Sequence, residues 1–160
     1  ALPLTLLAEI LGGGATSRLY RALVIEAKIA DAAGAFYAGL SLDATRFSVY
    51  AQPTAGHSVE AVEAAALAEI RKLLAEGVNQ GELDLAKTQF QTAAVYARDS
   101  AQGTGRMVAL ALSMGLTLDD IRQFPERIAA VAAAEILEAA RAVLVPERAV
   151  TGILLPRKAG

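Results

Sequence analysis

The chain has 160 residues, a length that corresponds to one domain over 1–160 with enough interior to hold together without staples. It contains no cysteine, which excludes disulfides and thiolate metal sites, and its net charge of −2 is spread so evenly that nothing favours nucleic acid or anionic lipid. Hydrophobic residues make up 54%, the surplus mostly alanine, yet no uncharged apolar run approaches the roughly 20 residues of a membrane span.

Ala1-Leu2-Pro3-Leu4 lacks the basic n-region and cleavage site of a signal peptide and reads as a chain cut at a domain boundary. Pro3 suits a first helical turn, and Leu4, Leu7 and Leu11 keep helical spacing as far as Gly12-Gly13-Gly14. Each glycine lowers helix stability by roughly 1 kcal/mol relative to alanine. Three in a row therefore imply a bend or a closely packed neighbour, and Gly13→Val is expected to cost on the order of 1–3 kcal/mol. Leu19, Leu23 and Glu26 or Ala27 resume helical spacing, with Thr16 or Ser17 as N-cap. From Ala30 the period becomes two, with Ala30, Ala32, Gly34, Phe36 and Ala38 alternating against Asp31, Ala33, Ala35, Tyr37 and Gly39. Ser41 to Ala44 reads as a turn. Thr45 to Gln52 alternates again, Phe47, Val49 and Ala51 on one face, which makes an antiparallel hairpin.

Ser58 with Glu60 opens a long helix striped by Val62, Ala66, Leu67, Ile70, Leu73 and Leu74 and closed by Gly77. A second starts near Gln80 or Gly81, with Leu83, Ala86, Phe90, Ala94, Ala97 and Ala101 on one face. Gly103 and Gly105 interrupt it, and Arg106 to Met114 resumes it. Thr117 and Asp120 form a capping-box start for the next helix, which Pro125 limits. A last helix covers about Ala133 to Leu144, and Arg148 to Leu155 reads as a strand. The expected class is α+β, a small antiparallel sheet covered by helices on one face.

Chemistry is sparse. A phosphate loop needs G-x-G-x-x-G after a strand or a Gly-Lys-Ser/Thr, and the glycines here follow a helix. His57 is the only histidine. With Glu60 as its one near carboxylate it cannot supply the three protein ligands of a catalytic zinc site, and it reads as a loop or capping residue. Ser41, Ser48, Ser58, Ser100 and Ser113 lack the nucleophile-elbow context. Glu60, Glu63, Glu69, Asp84, Asp119 and Asp120 fall on helix faces or first turns, where solvation or the helix dipole explains them. Arg18 reads as a partner of helix-end carbonyls or a neighbouring loop. No catalytic or metal residue is assigned.

LGGGATSRLYRALV followed by KIADAAGAF resembles the L-G-G-G-x-x-S-R-L-[FY]-x-x-[LV] segment of insulinase/pitrilysin-type zinc peptidases, the group of mitochondrial processing peptidase and bacterial zinc proteases. The similarity runs on through GVNQGEL and AVYARDSAQGTGR to AVTGILLP, and it is to the second, C-terminal half of such a protein. It implies a processing-peptidase-type half-domain that packs on an N-terminal half carrying zinc in H-x-x-E-H and walls a peptide-degrading chamber, no zinc being bound by this segment. In the non-metal half of the family an Arg and a Tyr seven residues later orient the substrate carbonyl. The aligned positions here look like Ile25 and Ala32, so a homologous subunit carrying the pair is the implied partner. The alternative is a catalytically dead core protein that keeps the fold for assembly alone.

Overall fold

Pro3 in the first turn and a leucine-rich run produce helix α1, Leu2–Gly12, in the computed structural model, which describes residues 1–39, 41, 43, 45–98 and 101–155. Leu6, Leu7, Ile10 and Leu11 are buried on it. The glycine run is a helix end, and its members do different things. A Cβ on Gly12 would overlap the backbone of Gly34 and Ala35, so α1 meets the next strand at main-chain distance only because residue 12 has no side chain. Gly13 has an ordinary backbone, φ −78° and ψ 6°, and donates its N–H to the Glu9 carbonyl at 2.8 Å. What a side chain there would meet is the movable Glu9 carboxyl. The cost expected at Gly13 therefore belongs to Gly12.

The element after the glycines is π-helical, Tyr20–Glu26, where an α-helix was expected. Its bonds reach one residue further, as from Ala27 N–H to the Ala22 carbonyl at 2.9 Å. Ser17 is buried but caps nothing; its hydroxyl donates back to the Gly14 carbonyl at 2.6 Å. Lys28, at φ +54°, turns the chain into strand β1, Ala30–Tyr37.

Strand β1 pairs antiparallel with β2, Phe47–Pro53, from Ala30 opposite Pro53 to Tyr37 opposite Phe47. The irregularity between Ala30 and Ala32 makes Asp31 an extra residue, and this bulge reverses the strict alternation read from the sequence. Ala33 and Ala35 consequently face the core with Phe47, Val49 and Ala51, as Ala30 does, while Phe36 and Tyr50 stand exposed on the other face. The Tyr37 and Phe47 rings stack across the strands, centroids 6.3 Å apart. Part of the turn expected at Ser41 to Ala44 lies outside the described residues.

Ser58 caps helix α2, Val59–Glu76, accepting from the Ala61 N–H, and Gly77 ends it at φ +78°. Helix α3 covers Gln80–Arg98 and α4 covers Ala101–Ser113. Gly103 and Gly105 thus lie inside α4, not between helices: glycine weakens a helix but does not forbid it. The Ala94, Ala97 and Ala101 side chains lie outside what is described. Thr117 and Asp120 form the expected capping box of α5, Leu118–Ala130, which continues past Pro125, and α6 covers Ala133–Val143. Helices α1, α2, α3, α5 and α6 share one buried apolar cluster with the inner face of the sheet, including Leu19, Leu23, Leu73, Leu83, Ile128 and Ile136. The fold is α+β, with helices on one face of a two-stranded antiparallel sheet. The strand expected over Arg148 to Leu155 is absent among the described residues. A short 3-10 turn, Pro146–Arg148, is followed by chain without regular structure, because its backbone groups find no neighbouring strand.

Gly12→Ala should lower unfolding free energy by about 3 kcal/mol or more, since backbone must move, whereas Gly13→Ala should stay within about 1 kcal/mol. Urea denaturation of both variants reads the contrast.

Candidate functional site

The most specific polar constellation lies where the chain restarts after the glycines. Arg18 sits beside Leu19, and that leucine's full burial holds the arginine against the loop joining α2 to α3. Its guanidinium grips Glu82 in a fork, Nε to Oε1 at 2.7 Å and Nη2 to Oε2 at 2.7 Å. Nη2 also donates to the Gly77 carbonyl at 2.8 Å, the helix-end role read for this residue from the sequence. Glu82 is fixed in turn by the first turn of α3: it accepts from the Asn79 N–H at 3.2 Å, while Asn79 Oδ1 accepts from the Glu82 N–H at 2.9 Å. Burial pushes the Glu82 carboxyl up, but the Arg18 fork, the Asn79 N–H and the charges of Arg18 and Arg21 together hold it below the usual carboxylate range. The bond to Glu82 pushes the Arg18 guanidinium up, against the effect of its own burial.

A polar cleft of about 190 Å³ opens beside this pair, with Arg21, Lys72, Glu69 and Glu76 also on its walls. Arg18 Nη1 is buried and has no hydrogen-bond partner among the described residues. Glu69 and Glu76 add negative potential at the guanidinium, so the cleft does not suit an anionic ligand. The arrangement is a structural clamp that ties the segment after the glycines to the end of α2 and the start of α3.

The other candidates are dispersed. His57 is exposed in the turn after Gly56, its N–H on the Thr54 carbonyl, and among the described residues no three His, Cys, Asp or Glu side chains lie close enough to hold a metal. These residues do not fit zinc. Ser48 lies in β2 opposite Phe36, Ser58 is a helix cap, Ser113 donates to the Leu110 carbonyl, and Ser100 is outside the described residues. Glu60 lies in the first turn of α2, Glu63 accepts from Thr151, Asp84 from Gln80, Asp119 faces Arg122 and Asp120 faces Arg127. Ile25 is exposed near the end of the π-helical segment, and Ala32 pairs with Gln52 in β1. No arginine in the chain is followed by a tyrosine seven residues later. Sequence reasoning missed the Glu82 partner of Arg18. Its one local sign was Asn79 three residues before Glu82, an N-cap pattern.

A family model described as "Peptidase M16 inactive domain" matches residues 1–90. Among solved structures, the inactive peptidase domain of a candidate zinc protease from Bordetella parapertussis superposes with a TM-score of 0.86 at 23% identity, over 99% of this chain and 83% of that one. A candidate zinc protease from Bordetella pertussis Tohama I gives 0.81 at 24% identity, over 97% and 84%. A protease from Helicobacter pylori gives 0.82 at 20% identity over 90% of this chain, which spans only 34% of that protein. At these identities the likeness is one of fold. No curated protein matches the chain.

Arg18→Ala should destabilise by about 2–3 kcal/mol, because it leaves the half-buried Glu82 and the Gly77 carbonyl without their donors; Arg18→Lys should not rescue, since an ammonium cannot make the fork. The Glu82 contribution is present above the unfolded carboxyl pKa near 4.5 and is lost as pH falls through its lower folded value. The gap in melting temperature between wild type and Arg18→Ala should therefore narrow in strong acid, leaving the part that comes from the Gly77 carbonyl. Separately, metal analysis should find no stoichiometric zinc on the segment, and His57→Ala should change neither that nor stability.

Proposed function

The chain belongs to the family of peptidase M16 inactive domains, and from that membership we propose that it is the non-catalytic C-terminal half of a zinc metalloendopeptidase. Among the described residues no cluster of side chains suits a metal ion. The zinc, bound by H-x-x-E-H in a separate N-terminal half, supplies the activation of water for attack on a peptide carbonyl. This half packs on the metal half and walls one side of a chamber that encloses peptide substrates. The observation that supports the reading is the joint lack of two constellations in one chain of this family: no histidine pair, and no arginine with a tyrosine seven residues on.

In the positions read as Ile25 and Ala32, an Arg–Tyr pair would hold a carbonyl oxygen by charge-assisted and phenolic hydrogen bonds as charge develops on it. Isoleucine and alanine have no donor for that task. The pair is therefore supplied in trans by a homologous subunit.

Peptide hydrolysis should be near background with the polypeptide that joins this chain to its metal half, and should rise by two or more orders of magnitude, about the worth of such donors, when the homologous subunit is added. Full activity from a monomeric polypeptide would sink the two-subunit arrangement. No activity with or without any homologous subunit would leave the catalytically dead core protein as the better reading.

A further inference from the structure

The face of the sheet turned away from the helices carries Ala32, Gly34 and Phe36 of β1 and Ser48, Tyr50 and Gln52 of β2. The outer face of an antiparallel sheet is ordinarily polar, hydrophobic side chains being kept for the inner one. Charged residues make up 20% of the chain, yet none stands at these positions. In place of charge there are two large rings, Phe36 61% and Tyr50 58% exposed.

The backbone sets both rings. Tyr50 lies directly opposite Gly34 in the register, and its ring fills the place of the side chain that Gly34 lacks, the hydroxyl 2.6 Å from where a Cβ would be. The ring thus leans across β1, with main chain beneath it and water on its outer side. Phe36 follows on the same face of β1, diagonal to Tyr50 across the pair. Such neighbours are about 7–8 Å apart, a gap that one inserted side chain can span.

Missing charge together with exposed aromatic rings marks the centre of a contact surface. Its size says of which kind. Two strands about 4.8 Å apart, bearing these residues over about 14 Å, present on the order of 200 Å². A stable protein partner needs about 800 Å² on each side. The face therefore suits one or two side chains of a peptide and is too small for a folded subunit. With no charge on it, nothing rewards an acidic or basic side chain, whereas a flat ring open on its outer side favours an aromatic or large aliphatic one.

We propose that Phe36 and Tyr50 form a subsite for an aromatic or large aliphatic side chain of the peptide substrate, stacked on the Tyr50 ring and bordered by Phe36. This rests on the reading that the chain walls a chamber enclosing peptides, and adds which side chain that wall selects. Gly34 belongs to the subsite passively, since any side chain there would lift the Tyr50 ring off the strand.

Photolabelling decides the matter, on the polypeptide as its gene encodes it and without the homologous subunit, so that little peptide is consumed. A short peptide carrying one benzoylphenylalanine, irradiated on ice, should attach within 32–36 or 48–52, as located by mass spectrometry. Unlabelled peptide with phenylalanine at that place should suppress the labelling at about three- to tenfold lower concentration than the same peptide with serine, the worth of one aromatic pair. Tyr50→Ser and Phe36→Ser should each erase that preference and Tyr50→Phe should keep it. All three are changes at exposed positions and should leave the melting temperature nearly unaltered. Attachment only elsewhere, or equal suppression by the phenylalanine and serine peptides, overturns the proposal. Self-association in sedimentation that either serine variant abolishes also overturns it, because the face would then belong to a second copy. Peptidase activity is not the readout. Labelling of this face in a polypeptide that cleaves nothing, even with the homologous subunit added, upholds the subsite while counting against the enzymatic reading. Cleavage without labelling here does the reverse.

Discussion

The missing side chain of Gly12 is the constraint on which the architecture depends. It lets the last turn of α1 lie on the main chain of Gly34 and Ala35, and this close approach brings the leucines of α1 under the sheet. From that contact the rest follows in sequence. The chain must leave the helix at once, and Gly14, at φ +152°, provides the exit. Gly34 meets a second demand on its own side chain position, where the Tyr50 ring stands 2.6–2.8 Å from an ideal Cβ. Two glycines 22 residues apart thus thin the molecule at one point, and the short sheet, with alanine at most inward places of β1, keeps it thin.

Arg18 solves a different problem at the same place. The segment after the glycines adds Leu19 and Leu23, with Ala22, Val24 and Ile29 beside them, to the shared apolar cluster, and charge gives it a second attachment to α2 and α3. Side-chain exposures of 13% for Arg18 and 27% for Glu82 put the pair between surface and interior, where desolvation offsets much of the Coulomb gain. Its value is therefore geometric. A forked guanidinium that also takes a helix-end carbonyl fixes three elements in one orientation, which packing of a few leucines would not.

Much of this was legible in the sequence wherever a local signal agreed with the tertiary demand. Ser58, Gly77 and the Thr117–Asp120 box marked helix ends correctly, and the alternation in β2 placed Phe47, Val49 and Ala51 inward. What failed were places where geometry departs from a fixed period. The Asp31 bulge flips the phase of β1, and no pattern of alanines announces it. Which glycine mattered could not be read from three identical neighbours, because the answer lies in what approaches each one. The fork from Arg18 to Glu82 spans 64 positions and had only an N-cap pattern to suggest it. The tail from Ala149 to Leu155 carries a strand's composition, but a strand is a relation between two segments, and composition describes one.

The π-helical turn has a consequence for kinship. Closing each bond over five residues, it houses one residue more than an α-helical turn of similar length, so it behaves as a one-position insertion written into the backbone. A relative whose corresponding stretch is α-helical falls out of step with this chain somewhere between Tyr20 and Glu26. Its residues beyond the step then correspond to neighbours one place later, Glu26 and Ala33 where a gapless comparison points to Ile25 and Ala32. Neither counting turns up an arginine or a tyrosine, so the deficiency survives the slippage. Genealogies of this segment are best drawn from superposed backbones, since letters alone hide the step.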